Sequence, residues 1–260
     1  MEFKQVVGLR RSIRYYQPYR PVEREKIQTI LEAARLCSQA VNSAWSRAIV
    51  VYRDDLSEDD REALKIPTTT AQLDMAPVWI FWYGDMSAPS LGKSTLKELV
   101  DIGALNPSHG WSHSYVDDVI WPQVLQPIAA NPQALLALTG VEAGLAICQA
   151  LLAAVDLGLG TQLVAVNQAK ATEILGVPEH LVPLVVQLVG YSAEDREAGG
   201  QRPRQPFEAL YFEGRYGAPF ERDEAVVDQL KKDGMIMAQG PVKWRHEEVR
   251  ALARQFGLPE

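Results

Sequence analysis

Two kinds of hydrophobic pattern alternate along the chain. In one, apolar positions recur at helical spacing; in the other they run without a break. Ile27, Ile30, Leu31 and Ala34 fall at i, i+3, i+4 and i+7. They predict an amphipathic helix opened by Pro21, with Glu23 and Glu25 in its first turn. Ala48 to Tyr52 is a β-branched run and predicts a strand. Pro77 to Tyr83 reads Pro-Val-Trp-Ile-Phe-Trp-Tyr, and its continuous apolarity predicts a strand covered on both faces. Between them, Ser57-Glu58-Asp59-Asp60 reads as the capped start of a short helix. Gly140 to Leu157 predicts a helix that is apolar almost all round. Its alanines and glycines let another helix approach closely, as in a core or a subunit interface. Gly158-Leu159-Gly160 ends that helix. Thr161 to Val166 and Leu184 to Gly190 read as further strands, and Asn167 caps a helix that runs to Leu175.

Two stretches depart from this pattern. Ser87 to Ala130 mixes helical segments with Gly and Pro punctuation and carries Trp111, His113, Tyr115 and Trp121. After Glu213 the chain becomes charged, with helical patterns over Glu221 to Lys232 and Trp244 to Phe256. With helices between most strands, the expected class is α+β: one sheet, helices packed on it, and a C-terminal extension. The expected division is a main domain over 1–212 and an extension over 213–260.

Charge narrows the function. With 26 Lys and Arg against 33 Asp and Glu, the net charge is −7, which argues against a nucleic-acid partner. The longest uncharged apolar stretch, Ala143 to Val155, is shorter than the roughly 20 residues that span a bilayer, so no membrane association is expected. The first residues show no apolar signal core, and Cys37 and Cys148 show no metal-ligand spacing. A cytoplasmic protein with reduced thiols is the expectation.

Against that acidic background, basic residues gather in two places. Arg10-Arg11-Ser12-Ile13-Arg14 puts Arg10 and Arg14 on one face of a 3.6-residue repeat, with Ser12 near a turn. Two guanidiniums and a hydroxyl suit a phosphate dianion. Arg202-Pro203-Arg204 follows a Gly-Gly loop near the end of the predicted main domain. A third feature is the small polar loop Gln39 to Arg47, able to present amide groups to a flat ligand. The fourth is Gly158-Leu159-Gly160-Thr161, leading into Ala165-Val166-Asn167. His109 and His113 share helical spacing, but Pro107 and Gly110 interrupt any helix there and no third ligand is near, so no metal site is expected.

In this order the four features resemble the nitroreductase superfamily. The family's opening Arg-x-Ser-x-Arg is matched at Arg10, Ser12 and Arg14. Its polar loop into the first strand is matched at Asn42, Ser43 and Arg47, and its Ala-x-x-Leu-Gly-Leu-Gly-Thr helix end at Ala154 to Thr161. Leu175 to Glu179 match a Leu-Gly-Ile-Pro-Glu segment. Gly190, Tyr191, Ala193 and Glu194 match a Gly-Tyr-Pro-Ala-Glu strand end, and Arg202, Arg204 and Pro206 match a basic phosphate-binding tail. The resemblance covers roughly residues 6 to 215. It departs at Ser38-Gln39-Ala40 and Ala44-Trp45-Ser46, and where the family often carries Gly-Gly this chain has Ala165-Val166.

The resemblance implies a central mixed or antiparallel sheet flanked by helices in an intertwined homodimer, and the position and amphipathic pattern of the C-terminal extension predict that it wraps the partner. It implies non-covalently bound FMN, with Arg10, Arg11, Ser12, Arg14, Arg202 and Arg204 around the phosphate. Asn42 and Ser43 would face the ring from the partner subunit, and Val164, Ala165 and Val166 would line its reactive edge. The activity implied is hydride transfer from NAD(P)H to the flavin N5 and on to a small organic acceptor (a nitroaromatic, quinone or enone) in ping-pong order. The flavin carries the chemistry, so no catalytic side chain is assigned. Trp111 and Tyr115 are expected to stack on a flat substrate, with Trp45 as a second wall. Two alternatives remain open: a specialised FMN oxidase or dehydrogenase of a biosynthetic or degradative pathway, and a non-catalytic flavin-storage protein.

Overall fold

A computed structural model describes residues 1–259. In chain order it contains α1 (Phe3–Leu9), α2 (Arg24–Arg35), β1 (Ser46–Tyr52), α3 (Glu58–Leu64), α4 (Thr70–Met75), β2 (Val78–Asp85) and α5 (Ala88–Asp101). There follow α6 (His113–Tyr115), a π-helix (Val116–Leu125), α7 (Gln126–Ala129), α8 (Pro132–Asp156), β3 (Gly160–Val164), α9 (Gln168–Ile174), β4 (Leu181–Gly190), α10 (Glu224–Lys232) and α11 (Arg245–Gln255). The four strands form one sheet in the order β1-β2-β4-β3, and every pairing is antiparallel.

β2 is central and wholly buried, and its alternation divides the core. Val78, Ile80 and Trp82 point to the layer of α2 and α8, where they meet Ile27, Ile30, Ala146 and Ala150. Trp79, Phe81 and Tyr83 point to the layer of α3, α4 and α9, meeting Leu64, Leu73 and Ala171. The unbroken apolar run is therefore the signature of a strand covered on both faces, as its sequence predicts.

Local signals place most element ends. Ser57 Oγ accepts the Asp60 N–H at 3.1 Å and Asn167 Oδ1 that of Lys170 at 3.2 Å, so both expected caps form. The first amphipathic helix starts at Arg24, three residues after Pro21. The long apolar helix starts at Pro132, eight residues before its expected start at Gly140. Asn131 caps it through the N–H groups of Gln133 and Ala134. At 25 residues α8 is long and apolar enough to cross a membrane by length and composition. Here one face of it instead packs on α2 and the sheet.

The extension packs in part on its own chain. Residues 213–260 are expected to wrap a partner, but α10 and α11 return to their own chain. Lys4 pairs with Asp233, Gly8 lies against the backbone of Gly234, and Tyr15 stacks on Phe256 with ring centroids 6.2 Å apart. Gln201 and Gln239 form a parallel bridge. Only the segment before α10 stands clear. There Phe220 N–H bonds Tyr211 O at 3.0 Å and Phe212 bridges Pro219, closing a hairpin with exposed Tyr211, Tyr216 and Phe220. The expected 212/213 boundary falls inside this hairpin.

Candidate functional site

Arg10 to Arg14 leave the helical pattern as soon as α1 ends. Arg10 is extended (φ −61°, ψ 116°), Ser12 bridges Thr161 in parallel, and Ile13 N–H donates to Thr161 O at 3.1 Å. The segment lies along the free edge of β3, so its side chains alternate with period two, not 3.6. Arg10, Ser12 and Arg14 take the outer side, while Arg11 and Ile13 turn inward, each 4% exposed. The expected neighbours thus still share a side, for a different geometric reason.

Arg11 is corrected by this alternation. Its Nη1 donates to Gly8 O at 2.6 Å and Arg10 O at 3.0 Å, its Nε to Glu197 O at 3.1 Å, and its Nη2 contacts Met237 Sδ at 3.7 Å. Its donors are committed to the fold, so it adds positive field to the site and no direct contact.

The second basic cluster joins the first. Arg202 hangs on its own loop, donating to Ala198 O at 3.0 Å. Burial holds the Arg10 guanidinium below the usual arginine range, and the charge of Arg204 lowers it further. Arg202 is lowered by burial first and then by Arg14 and Arg245, partly offset by Glu194, with a smaller lowering from Arg10. Arg11 is lowered by burial and by Arg10, Arg202 and Arg204, partly offset by Glu197. Among the described residues none of Arg10, Arg14, Arg202 and Arg204 has a carboxylate partner, and the side chains of Arg10 and Arg204 make no hydrogen bond. Mutually repelling guanidiniums with free donors form an anion site, and their planar forks fit phosphate oxygens.

From this cradle β3 leads along the sheet. Four residue steps lead from Thr161 to Ala165, roughly 13 Å of extended chain. Val164 and Val166 are buried and Ala165 is exposed, with its carbonyl accepting from Thr69 Oγ1 at 3.2 Å. The backbone beside Ala165 is therefore the part of 164–166 that a ligand can reach.

The 40–45 loop lies at the other end of the sheet. Its turn puts two residues with Cβ atoms in the left-handed region, Val41 at φ 51° and Asn42 at φ 54°. For a β-branched residue this conformation costs of order 1–3 kcal/mol, so the surroundings must enforce it. Glu142 Oε2 accepts the Ala40 N–H at 2.8 Å, Thr95 Oγ1 donates to Val41 O at 2.6 Å, and Trp45 Nε1 donates to Ala40 O at 2.8 Å. Arg47, paired with buried Asp85 at 2.7 Å, also donates to Ala44 O. The clamped turn leaves Asn42 exposed and puts Ser43 and Trp45 wholly inside. Trp45 packs with Ala88 and Leu135, so it is a core residue with no face for a substrate.

Trp111 and Tyr115 sit at the same end. Their rings meet edge to face at 5.4 Å, and their segment packs with Val41, Leu96 and Leu125. They are not successive turns of one helix, because Ser112 is extended (φ −157°, ψ 167°) and caps α6, which leaves Trp111 outside it. Tyr115 is 37% exposed and remains available to a ligand.

Within one chain the arginine cradle and the clamped loop lie at opposite ends of the sheet. β2 spans seven steps from Val78, beside the cradle end, to Asp85, beside the loop end, or roughly 24 Å. Sequence reasoning gave no role to three residues that organise these two ends: Glu142, Glu194 and Arg245. Glu142 carried a signal, as the only charged residue between Pro132 and Val155. Arg245 carried none.

The Nitroreductase family model matches residues 8–89. The chain is 26% identical over 209 residues to "FMN reductase [NAD(P)H]" of Bacillus subtilis, covering 79% of this chain and 71% of that protein. A putative nitroreductase from Exiguobacterium sibiricum, solved in complex with FMN, superposes with a TM-score of 0.63 at 25% identity, over 79% of this chain and 94% of its own. B. megaterium NfrA2 superposes over 99% of this chain and 98% of its own, with a TM-score of 0.59 at 19% identity, so its fold extends to the C-terminal helices. The arginine segment and the clamped loop both lie within the residues that match the Nitroreductase family model, on a fold shared with nitroreductase-like proteins.

Proposed function

We propose that this protein is an FMN-dependent oxidoreductase that draws reducing equivalents from NAD(P)H and passes them to a small organic acceptor of the nitroaromatic, quinone or enone class. The observation that carries the reading is the arginine cluster on the edge of β3, where Arg10, Arg14, Arg202 and Arg204 form no ion pair with a carboxylate among the described residues. A phosphate monoester supplies the counter-charge, and Arg10, Ser12, Arg14, Arg202 and Arg204 are the residues to hold it. Each charge-assisted hydrogen bond contributes about 1.5–3 kcal/mol. The exposed backbone at Ala165, along the strand that leaves the cradle, is the natural contact for the ring. When bound, FMN would supply two-electron redox chemistry between the nicotinamide and the acceptor, in ping-pong order. The chain's own part is to bind, orient and enclose.

The reading includes a homodimer. The clamped loop and the cradle are too far apart to share one ligand within a chain, so Asn42 is assigned to the partner's flavin. The surface for this contact is the outer face of α8, where Leu136, Val141 and Leu145 are exposed beside Gly140 and Gly144. Trp111 and Tyr115, carried with the loop, are assigned to the acceptor pocket of that same neighbouring site. The hairpin at 211–220 is the part of the extension free to reach a partner. The free thiols of Cys37 and Cys148 fit a cytoplasmic, reducing compartment.

The test is an absorbance spectrum of the purified protein, followed anaerobically as NADPH or NADH is added. Flavin bands that bleach are expected. A protein that stays colourless with added FMN refutes the reading, and a bound flavin that neither nicotinamide reduces replaces it with the storage or oxidase alternative.

A further inference from the structure

We propose that Arg245, from the C-terminal helix, is a positioning residue for phosphate binding: by occupying Glu194 it keeps the cradle's arginines open to the ligand and ties the docking of α11 to that ligand. The proposal rests on reading the cradle as the flavin phosphate site.

Glu194 lies where three segments meet. Its side chain is fully buried, and Oε1 accepts the backbone N–H groups of Arg14 and of Tyr15, the latter at 3.1 Å. Its other oxygen meets Arg245 Nη1 at 2.6 Å. Arg245 Nη1 is also 2.9 Å from Glu248 Oε2, and Glu248 Oε1 accepts the Asp195 N–H at 2.5 Å. The stem of Arg245 crosses Gly199, whose φ of +85° and missing Cβ leave the room it fills. Around this crossing the extension grips the loop that carries Arg202 and Arg204. Val242 N–H donates to Gly199 O at 3.1 Å, Gly240 N–H to Gln201 O at 2.9 Å, and Gln201 N–H to Ala238 O at 2.8 Å. Both arginine-bearing segments are thus anchored to residues 238–248.

Charge gives the anchor its function. Glu194 is a carboxylate within electrostatic reach of Arg202, set among guanidiniums that form no ion pair with a carboxylate among the described residues. A buried carboxylate must be paired. While Arg245 pairs it, Arg14 and Arg202 stay available to an external anion. Without Arg245, Glu194 is left to recruit those arginines and compete with the phosphate. Linkage makes the effect reciprocal: whatever docking of α11 gives to phosphate affinity, the phosphate returns to the docking of α11.

The experiment compares FMN with riboflavin, which has the same ring and no phosphate, by fluorescence titration of the full chain. Arg245→Met is expected to weaken FMN binding about tenfold, within the usual range of site-to-site coupling, and to leave riboflavin binding unchanged. Arg245→Lys should restore most of the preference for FMN. The double variant Arg245→Met with Glu194→Gln should recover part of it, because the competing charge is gone. Hydrogen exchange in the unmodified protein gives a second measure: FMN should slow exchange over 245–255 and riboflavin should not. An Arg245→Met protein that keeps the full FMN preference, a double variant no better than the single one, or an α11 indifferent to FMN overturns the proposal. An unmodified protein that binds both flavins equally, or neither, overturns the phosphate reading itself, and the proposal with it.

Discussion

Replacing Arg204 with glutamine tests the cradle with little collateral damage to the fold. Its guanidinium is exposed and makes no hydrogen bond or ion pair with the rest of the described chain, so the substitution removes no contact that holds the protein together. What it removes is a like-charge neighbour of Arg10 and the free donors that face an incoming phosphate. One charge-assisted hydrogen bond is worth about 1.5–3 kcal/mol, or roughly ten- to a hundredfold in affinity. Arg204 is solvated, and screening puts its share at the low end, about tenfold. FMN titrations at low salt should show that loss, riboflavin titrations should show none, and the gap should narrow as salt is raised. The thermal midpoint without ligand should hold or rise slightly, because repulsion with Arg10 is relieved. An FMN affinity within twofold of the unmodified protein, or an equal loss for both flavins, refutes the placement of the phosphate.

Three further outcomes are expected. Val141→Asp, on the exposed face of α8, should turn a dimer into a monomer in size-exclusion chromatography with light scattering and lower flavin occupancy with it; a dimer of unchanged mass counts against that interface. Glu142→Leu removes the acceptor for the Ala40 N–H, at a cost of about 1–3 kcal/mol for the stranded donor, and should speed hydrogen exchange over 40–45 while sparing the cradle. Uniform exchange in both regions would assign Glu142 a global role instead. Tyr16→Phe should stabilise the protein by about 1 kcal/mol, because the Tyr16 hydroxyl is buried without a partner and carries a desolvation cost that phenylalanine avoids. A lower midpoint in urea would mean that the hydroxyl is satisfied.

The sheet and its main helices were legible because their signals are local. β2 shows burial on both faces in its own composition, and Ser57 and Asn167 announce the helices they cap. The arginine segment was legible in content and not in geometry. Arg10 and Arg14 are four apart, a spacing that satisfies a helix and an extended strand alike, and only pairing with Thr161 selects the strand. That choice decides Arg11, which a helix would leave near the site and a strand turns inward. Trp45 misled for a related reason: an aromatic in a polar loop looks like a wall until Ala88 and Leu135 close over it. The segment after β2 has no simple period because Val116–Leu125 is a π-helix with Pro122 inside it, which breaks the 3.6-residue pattern. The path of α10 and α11 was not legible at all, since an amphipathic helix states which of its faces is buried and not which chain buries it.

Helix α8 connects these results. Its composition alone suits a bilayer, yet Glu142 sits in its middle, bonded to the loop that carries Asn42. One face packs on the sheet, and the other leaves Leu136, Val141 and Leu145 exposed. The exposed stripe runs from Leu136, next to the Leu135 that covers Trp45, to Cys148, within electrostatic reach of Arg10. Its twelve-residue rise of roughly 18 Å carries it most of the way along the roughly 24 Å between the two ends. In the proposed dimer a two-fold axis through the middle of this stripe sets the Leu136 end of one helix beside the Cys148 end of the other. The partner's clamped loop then arrives next to this chain's cradle, and the reverse holds at the second site. Gly140 and Gly144, near that axis, present no Cβ to keep the two helices apart. On this reading the apolar surface, the division of the site between chain ends and the carboxylate buried in α8 have one origin: the helix that joins the subunits also holds the loop each lends to the other.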